Sequence, residues 1–384
     1  MTYQALTERT AVERLQALGF IGQGEASCEE IGDGNLNLVF RVRQGEKRFI
    51  LKQALPYAKV VGESWPLSLE RAWIEQAALK EFAKFAPAFV PHVYHASKEE
   101  AFTVMEDLSH LTIVRHGLLA GEVYPLLAGH IGSFLAKTLF HTSDFALGPV
   151  AKKGVARTYY NPDLCDITEK LIFTDPFCDA ETNQIEEGLE QDVEAIWSDR
   201  ELRREVAKLE ALFVTKGDAL LHGDLHTGSI FASADETRVI DPEFAFYGPF
   251  GFDVGQFMAH LFFASSAIGE ERVRSDVETF LATYESVFRE RWESFAVAPF
   301  RDADGLVDDV LKTTLADAFG FAGCELIRRT IGLAPVADLE GIESKAERIV
   351  RKRHALQTGV FLIRNRLTLD LQALKELFAQ EVAR

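Results

Sequence analysis

Apolar and polar positions change period once along the chain. In the first hundred residues the short period dominates. Residues 26–31, 36–42 and 48–53 read as strands, the last with period-2 alternation. Gln44-Gly45-Glu46 supplies a turn between the second and third. Before them, Thr10 with Glu13 reads as a capping box opening a short helix that stops at Gly19. After them comes a loop, Gly62-Glu63-Ser64-Trp65-Pro66, then an N-cap at Ser68 and a helix to about residue 86, closed by Pro87 and Pro91. Residues 92–96 and 102–106 complete five strands. Past Ser109 the helical period takes over, at 124–141, 187–216, 253–267, 271–291, 307–331 and the last forty residues. Strand-like interruptions are confined to 219–241. The expected class is α+β: a small sheet lobe over 1–108 and a larger, mainly helical lobe over 109–384.

Composition narrows the partners. The formal net charge is −18, which opposes docking on nucleic acid or an anionic membrane through Coulomb repulsion. The basic run Arg351-Lys352-Arg353-His354 is read as a solvated helix face. Four scattered cysteines form no C-x-x-C pair and no zinc-ligand spacing, which suits a reducing compartment. The first residues lack the charged-then-apolar order of a signal peptide. The most apolar stretch, 257–268, is interrupted by His260, Ser265 and Ser266 and is too short for a bilayer span. A cytoplasmic location is expected.

Three constellations carry candidate chemistry. Gly32-Asp33-Gly34-Asn35-Leu36-Asn37 joins two strands of a hairpin, and its glycines let backbone N–H groups approach phosphate oxygens. It lacks the Walker ending and opens a strand rather than a helix, so taken alone it reads first as a plain hairpin loop. Lys52, on the third strand, either snorkels from an edge or spans a cleft to nucleotide phosphates. The run Leu221-His222-Gly223-Asp224-Leu225-His226-Thr227-Gly228-Ser229 is followed, seventeen residues after Asp224, by Asp241-Pro242-Glu243. Two acids placed after short apolar segments suit phosphoryl transfer, one orienting a hydroxyl and the other holding Mg²⁺. Glu243, two residues on, projects the same way on an extended backbone as a second metal ligand. The plain alternative is that both aspartates form turns.

In this order the motifs resemble the protein-kinase-like phosphotransferases of small molecules, which include aminoglycoside phosphotransferases, choline kinases and 5-methylthioribose kinases. His222-Gly223-Asp224-Leu225-His226 looks like their catalytic loop. The narrower resemblance is to the 5-methylthioribose kinase family. It rests on the loop at 32–37, the tryptophan loop at 62–66, Asp241-Pro242-Glu243 where protein kinases carry Asp-Phe-Gly, and Arg328-Arg329 within 325–333.

The resemblance implies a bilobal kinase fold whose small lobe has an antiparallel sheet. It also implies ATP with Mg²⁺ as cofactors, 5-methylthioribose as small-molecule substrate phosphorylated on its 1-hydroxyl in methionine salvage, and a homodimer. Asp224 would be the catalytic base and a substrate contact. Asp241 and Glu243 would hold the metal, with Pro242 between them in the nucleotide segment. Lys52 would neutralise the α/β-phosphates, with Glu75 or Glu70 as its partner unless those are a solvated face. Glu106, Asp107 and Leu108 would form the hinge, binding adenine through the Glu106 carbonyl and the Leu108 N–H behind Met105. Asn35 would touch nucleotide phosphates or hold a left-handed turn. Arg328 and Arg329, surface residues on the sequence alone, become sugar ligands, and Trp65 a lid or a core residue. His222 and His226 are expected to brace the loop. Ser229 stands where the wider superfamily carries a metal-binding Asn, a swap the narrower family shares. An aminoglycoside- or choline-type kinase and a non-catalytic nucleotide-binding module are the remaining alternatives.

Overall fold

The computed structural model describes residues 3–31, 36–58 and 62–370, and for residues 58 and 62–65 the backbone alone. The loop at 32–35 with Asn35, and the side chain of Trp65, therefore lie outside the described residues. Five strands form one antiparallel sheet: β1 (Ser27–Glu30), β2 (Asn37–Gln44), β3 (Lys47–Ala54), β4 (Val93–Ser97) and β5 (Phe102–Glu106), in the order β1-β2-β3-β5-β4.

Register sorts the chemistry onto one face. Phe40, Leu51 and Val104 lie in one cross-strand row and pack with Ala11 and Leu15 of α1 (Glu8–Ala17). The next row, Val39, Lys52 and Thr103, faces the other way. The capping box of α1 is set by Thr7, not Thr10: Thr7 Oγ1 accepts the Thr10 N–H at 3.3 Å and Thr10 Oγ1 accepts the Thr7 N–H at 2.7 Å. A threonine at N3 takes the place of the Glu or Gln that the usual pattern demands, and Glu13 pairs with Arg9 instead. The helix ends as expected, at Gly19 with φ +77°.

Helix α2 (Glu70–Ala83) begins two residues after Ser68, whose Oγ accepts the Glu70 N–H at 3.1 Å. Its Ile74, Ala78, Leu79 and Phe82 join the main helical core rather than the small sheet core. That core is built by α3 (Leu127–Thr142), α4 (Arg200–Thr215), α5 (Gly251–Phe263), α6 (Glu270–Phe295), α7 (Leu306–Ile331) and α8 (Lys345–Asn365). Helices α5 and α7 approach closely at Gly255, where a Cβ would lie 2.5 Å from the Ala318 carbonyl oxygen.

The helix expected over 187–216 is two, Glu190–Ser198 and α4, broken where Asp199 turns extended and caps α4. The basic run at 351–354 is not a solvated face. Lys352 is 2% exposed and pairs with Glu186 and Glu340 at 2.9 and 2.5 Å, while Arg353 pairs with Asp192 at 2.9 Å. Its acidic partners lie more than a hundred residues away or beyond a turn, out of reach of local pattern. Among the described residues no helix is long and apolar enough to cross a membrane.

Candidate active site

Leu221 N–H donates to the Phe246 carbonyl at 2.9 Å, but the N–H groups of His222, Gly223 and Leu225 need acceptors from outside the backbone. They come from α5. Asp253, 0% exposed, accepts the His222 N–H on Oδ2 at 2.6 Å and the Gly223 N–H on Oδ1 at 3.0 Å. Gln256 Oε1 accepts the Leu225 N–H at 3.1 Å. Burial pushes the Asp253 carboxyl up to about 7. Gly223 takes φ +86°, and a Cβ there would stand 2.3 Å from the Phe244 carbonyl oxygen, so only glycine fits between this loop and the Asp-Pro-Glu turn.

Both histidines brace the loop. His222 Nε2 lies 2.8 Å from the Ile240 carbonyl and Nδ1 accepts the Asp224 N–H at 3.3 Å, so the proton sits on Nε2. Burial holds the ring down to about 4, in its neutral form. His226 Nδ1 accepts the Gly228 N–H at 2.9 Å and lies 3.2 Å from an Arg115 nitrogen, leaving Nε2 3.5 Å from Asp224 Oδ2. The Ser229 hydroxyl donates to the Asp224 carbonyl at 3.2 Å, another backbone tie.

Asp224 is half-buried and faces cations. Arg329 reaches Oδ1 at 3.4 Å. Burial acts to raise its pKa, but the His226 ring, Arg329 and Arg328 outweigh it and hold the carboxyl well below the usual range. Arg328 and Arg329 occupy the last turn of α7, both buried. Glu325 Oε1, one turn earlier, accepts from Arg328 at 3.0 Å and from Arg329 Nε at 2.7 Å. A third arginine, Arg115, lies 3.8 Å from Asp338. Nothing in the local pattern marks Arg115, because its neighbours in the fold are more than a hundred residues away.

On the sheet side, Lys52 donates to Glu75 of α2 at 2.9 Å and closely contacts Asp241 Oδ1. The partner is thus Glu75, while Glu70 pairs with Lys98 at the surface. Burial pushes the Glu75 carboxyl up, with Lys52 opposing. Asp241 has φ +71°, unusual for a residue with a side chain. The 3₁₀ turn Pro242–Phe244 follows. Glu243 is 5% exposed, its Oε2 accepting from Asn37 at 3.1 Å and Arg71 at 3.2 Å. Asn161 Nδ2 fixes the turn by donating to the Glu243 carbonyl at 2.9 Å.

At the end of β5, Glu106 N–H donates to the His92 carbonyl at 2.9 Å. Asp107 is tied to Arg41 at 3.4 Å, and Leu108 is buried. Lys52 thus meets Asp241 and Arg329 meets Asp224, and His222 ties the loop of Asp224 to the Ile240 carbonyl beside Asp241. Asn35 is beyond the described residues, and among those residues no three His, Cys, Asp or Glu side chains converge as a preformed metal cage.

A glycine-pinned loop carrying Asp224, a lysine–glutamate pair and a following acidic turn are the arrangement expected of a phosphotransferase. The model of the phosphotransferase enzyme family matches residues 27–296. Methylthioribose kinase of Exiguobacterium sibiricum is 74% identical over 370 residues, covering 95% of each chain. Methylthioribose kinase of a Geobacillus species is 54% identical, covering 99% of this chain and 97% of that one. The chain belongs to the methylthioribose kinase family of small-molecule phosphotransferases.

Proposed function

We propose that the chain transfers the γ-phosphoryl group of ATP to the 1-hydroxyl of 5-methylthioribose, as methionine salvage requires. The observation that carries this reading is the placement of Asp224 between His226 and Arg329, with the Lys52–Glu75 pair holding Asp241 on the opposite side. In the step, the sugar O1–P bond forms, the bond from the γ-phosphorus to the β,γ-bridging oxygen breaks, and the hydroxyl proton goes to Asp224. A carboxylate held so far down in pKa is a weak base. A loose transition state demands little more, so its principal work is to orient the hydroxyl. Arg328 and Arg329 neutralise charge on the transferred group and hydrogen-bond the sugar.

Residues 1–108 would act as the nucleotide lobe, ending in the hinge Glu106-Asp107-Leu108, with Asn35 and Lys52 on the phosphates. Residues 109–384 would carry the acceptor. The donor set fits Mg²⁺, a hard cation that keeps several waters and needs one or two carboxylates beside the phosphates. Asp241 offers a carboxylate 39% exposed, and Glu243 its second oxygen, with Pro242 fixing the turn between them. When bound, the ion neutralises charge on the phosphate oxygens. The reading includes a cytoplasmic homodimer.

The test is ADP release from MgATP against 5-methylthioribose, ribose, choline, homoserine and kanamycin. Turnover is expected with methylthioribose alone and is lost when Mg²⁺ is chelated. Three arginines beside Asp224 disfavour a cationic acceptor, so turnover with kanamycin or choline would overturn the substrate. Nucleotide binding without any turnover would favour a non-catalytic module.

A further inference from the structure

One buried cation beside the nucleotide side of the site has no role in the mechanism above. Arg71, on α2, is 1% exposed, and a guanidinium so far from water needs a full set of partners. Its Nε donates to Glu243 Oε2 at 3.2 Å. One terminal nitrogen donates to the carbonyls of Leu55 and Ser68 at 2.7 and 3.1 Å. The other donates to the Leu36 carbonyl at 2.6 Å and to Asn37 Oδ1 at 3.2 Å. Asn37 Nδ2 in turn donates to the same Glu243 oxygen at 3.1 Å.

These partners come from four stretches: the residues directly after the glycine-rich loop, the end of β3, the approach to α2, and the Asp-Pro-Glu turn. Glu75, one helical turn beyond Arg71, holds Lys52 and through it Asp241. Both acids of the turn are thus tied to a single helix, one by each of two residues four apart. Glu243 is nearly as buried as Arg71, so Arg71 is its countercharge. Without it, Glu243 would be an uncompensated anion where further negative charge must enter.

We infer that Arg71 is a positioning residue for the nucleotide site, fixing Glu243 and the exit of the glycine-rich loop against α2. This rests on the reading that Asp241 and Glu243 take a nucleotide with its metal ion. The test needs no acceptor: titration of the full chain with a fluorescent mant-ADP in Mg²⁺, alongside thermal unfolding. Arg71→Met is expected to weaken binding about 10-fold, and Arg71→Met with Glu243→Gln to bind no worse than the weaker single variant, as groups in one network do. Arg71→Lys, keeping the charge without the fork, is expected to recover part of the loss. If Arg71→Met does not fold, Arg71→Lys and Asn37→Ala report on the same network. Unaltered affinity in these variants despite a lowered Tm, or losses that simply add, would overturn the inference. Failure of the unaltered chain to bind MgADP would overturn the nucleotide reading itself, and the inference with it.

Discussion

On the proposed reading, Asp224 and Arg329 divide the labour at the acceptor. Asp224→Ala is expected to lower kcat by about 10²- to 10⁴-fold, with mant-ADP affinity unchanged. Arg329→Ala is expected to raise the sugar KM and lower kcat while the ATP KM stays put, because its bonds go to Asp224, Glu325 and the Ala334 carbonyl, all on the acceptor side. Steady-state kinetics with each substrate varied in turn check both. An Arg329→Ala enzyme with unchanged sugar kinetics would remove the arginine from the site. At this scale a short ordered motif singles out Lys52, Asp224 and Asp241 in the sequence, and folding brings Lys52 against Asp241 and Arg329 against Asp224. Arg71, Arg115, Asp253 and Gln256 were not singled out, because each is defined by a partner brought close only by folding. One local sign did exist for Asp253, the single acid of a mainly apolar helix whose other polar residues are Gln256 and His260.

Elements were legible in proportion to their length and to how one-sided their burial is. Strand β5 falls at the expected residues, and the long helices α6 and α7 within a few. Helix Pro149–Ala156 and helix Pro162–Glu169, of eight residues each, were missed. Two turns give too few positions for a 3.6-residue period to stand out. The break at Asp199 was missed for a different reason. A capping aspartate between two amphipathic helices reads as one more polar position. Its carboxylate accepts the Glu201 and Leu202 N–H groups at 3.1 and 2.9 Å and also meets Arg364. Asp199→Ala is therefore expected to cost about 1 kcal/mol or somewhat more, read by urea unfolding. Asp199→Asn, which keeps the cap and loses the ion pair, should fall between. An Asn variant no better than the Ala one would assign the stability to Arg364 rather than to the cap.

For the whole molecule, acid stability is the property to measure. His141 stacks on Phe85 with ring centroids 4.5 Å apart, and burial, aided by Arg291, holds it down to about 4. In the unfolded chain its pKa is about 6.5. Between these values the unfolded state binds the extra proton, so stability rises with pH there and is lost as pH falls from about 6.5 toward 4. His222 contributes in the same direction, and Asp253, raised to about 7, in the opposite one. A difference measurement isolates one group from this sum. His141→Phe keeps a ring against Phe85 and should flatten the slope of unfolding free energy by up to about 1.4 kcal/mol per pH unit within that window. Parallel slopes for the two proteins would mean the imidazole is protonated in the fold. The division into sheet and helical parts was legible from the change of period. The membership of α2 was not, since its burial on several sides comes from touching both the sheet and the helical core.

The backbone N–H groups of His222, Gly223 and Leu225 are held from behind, by Asp253 and Gln256 of α5, while Arg115 and Arg329 meet the same loop through its side chains. That separates two kinds of evolutionary freedom. On the proposed reading, Arg115, Arg328 and Arg329 can change with the acceptor while the backbone ties of the loop stay in place, although the charge around Asp224 changes with them. On the backing helix, Asp253 and Gln256 hold the loop backbone and Gly255 packs against Ala318, so change at these three positions displaces the loop or the helix. On that reading a new acceptor calls for new side chains on the arginine wall, not for a new fold of the loop behind it.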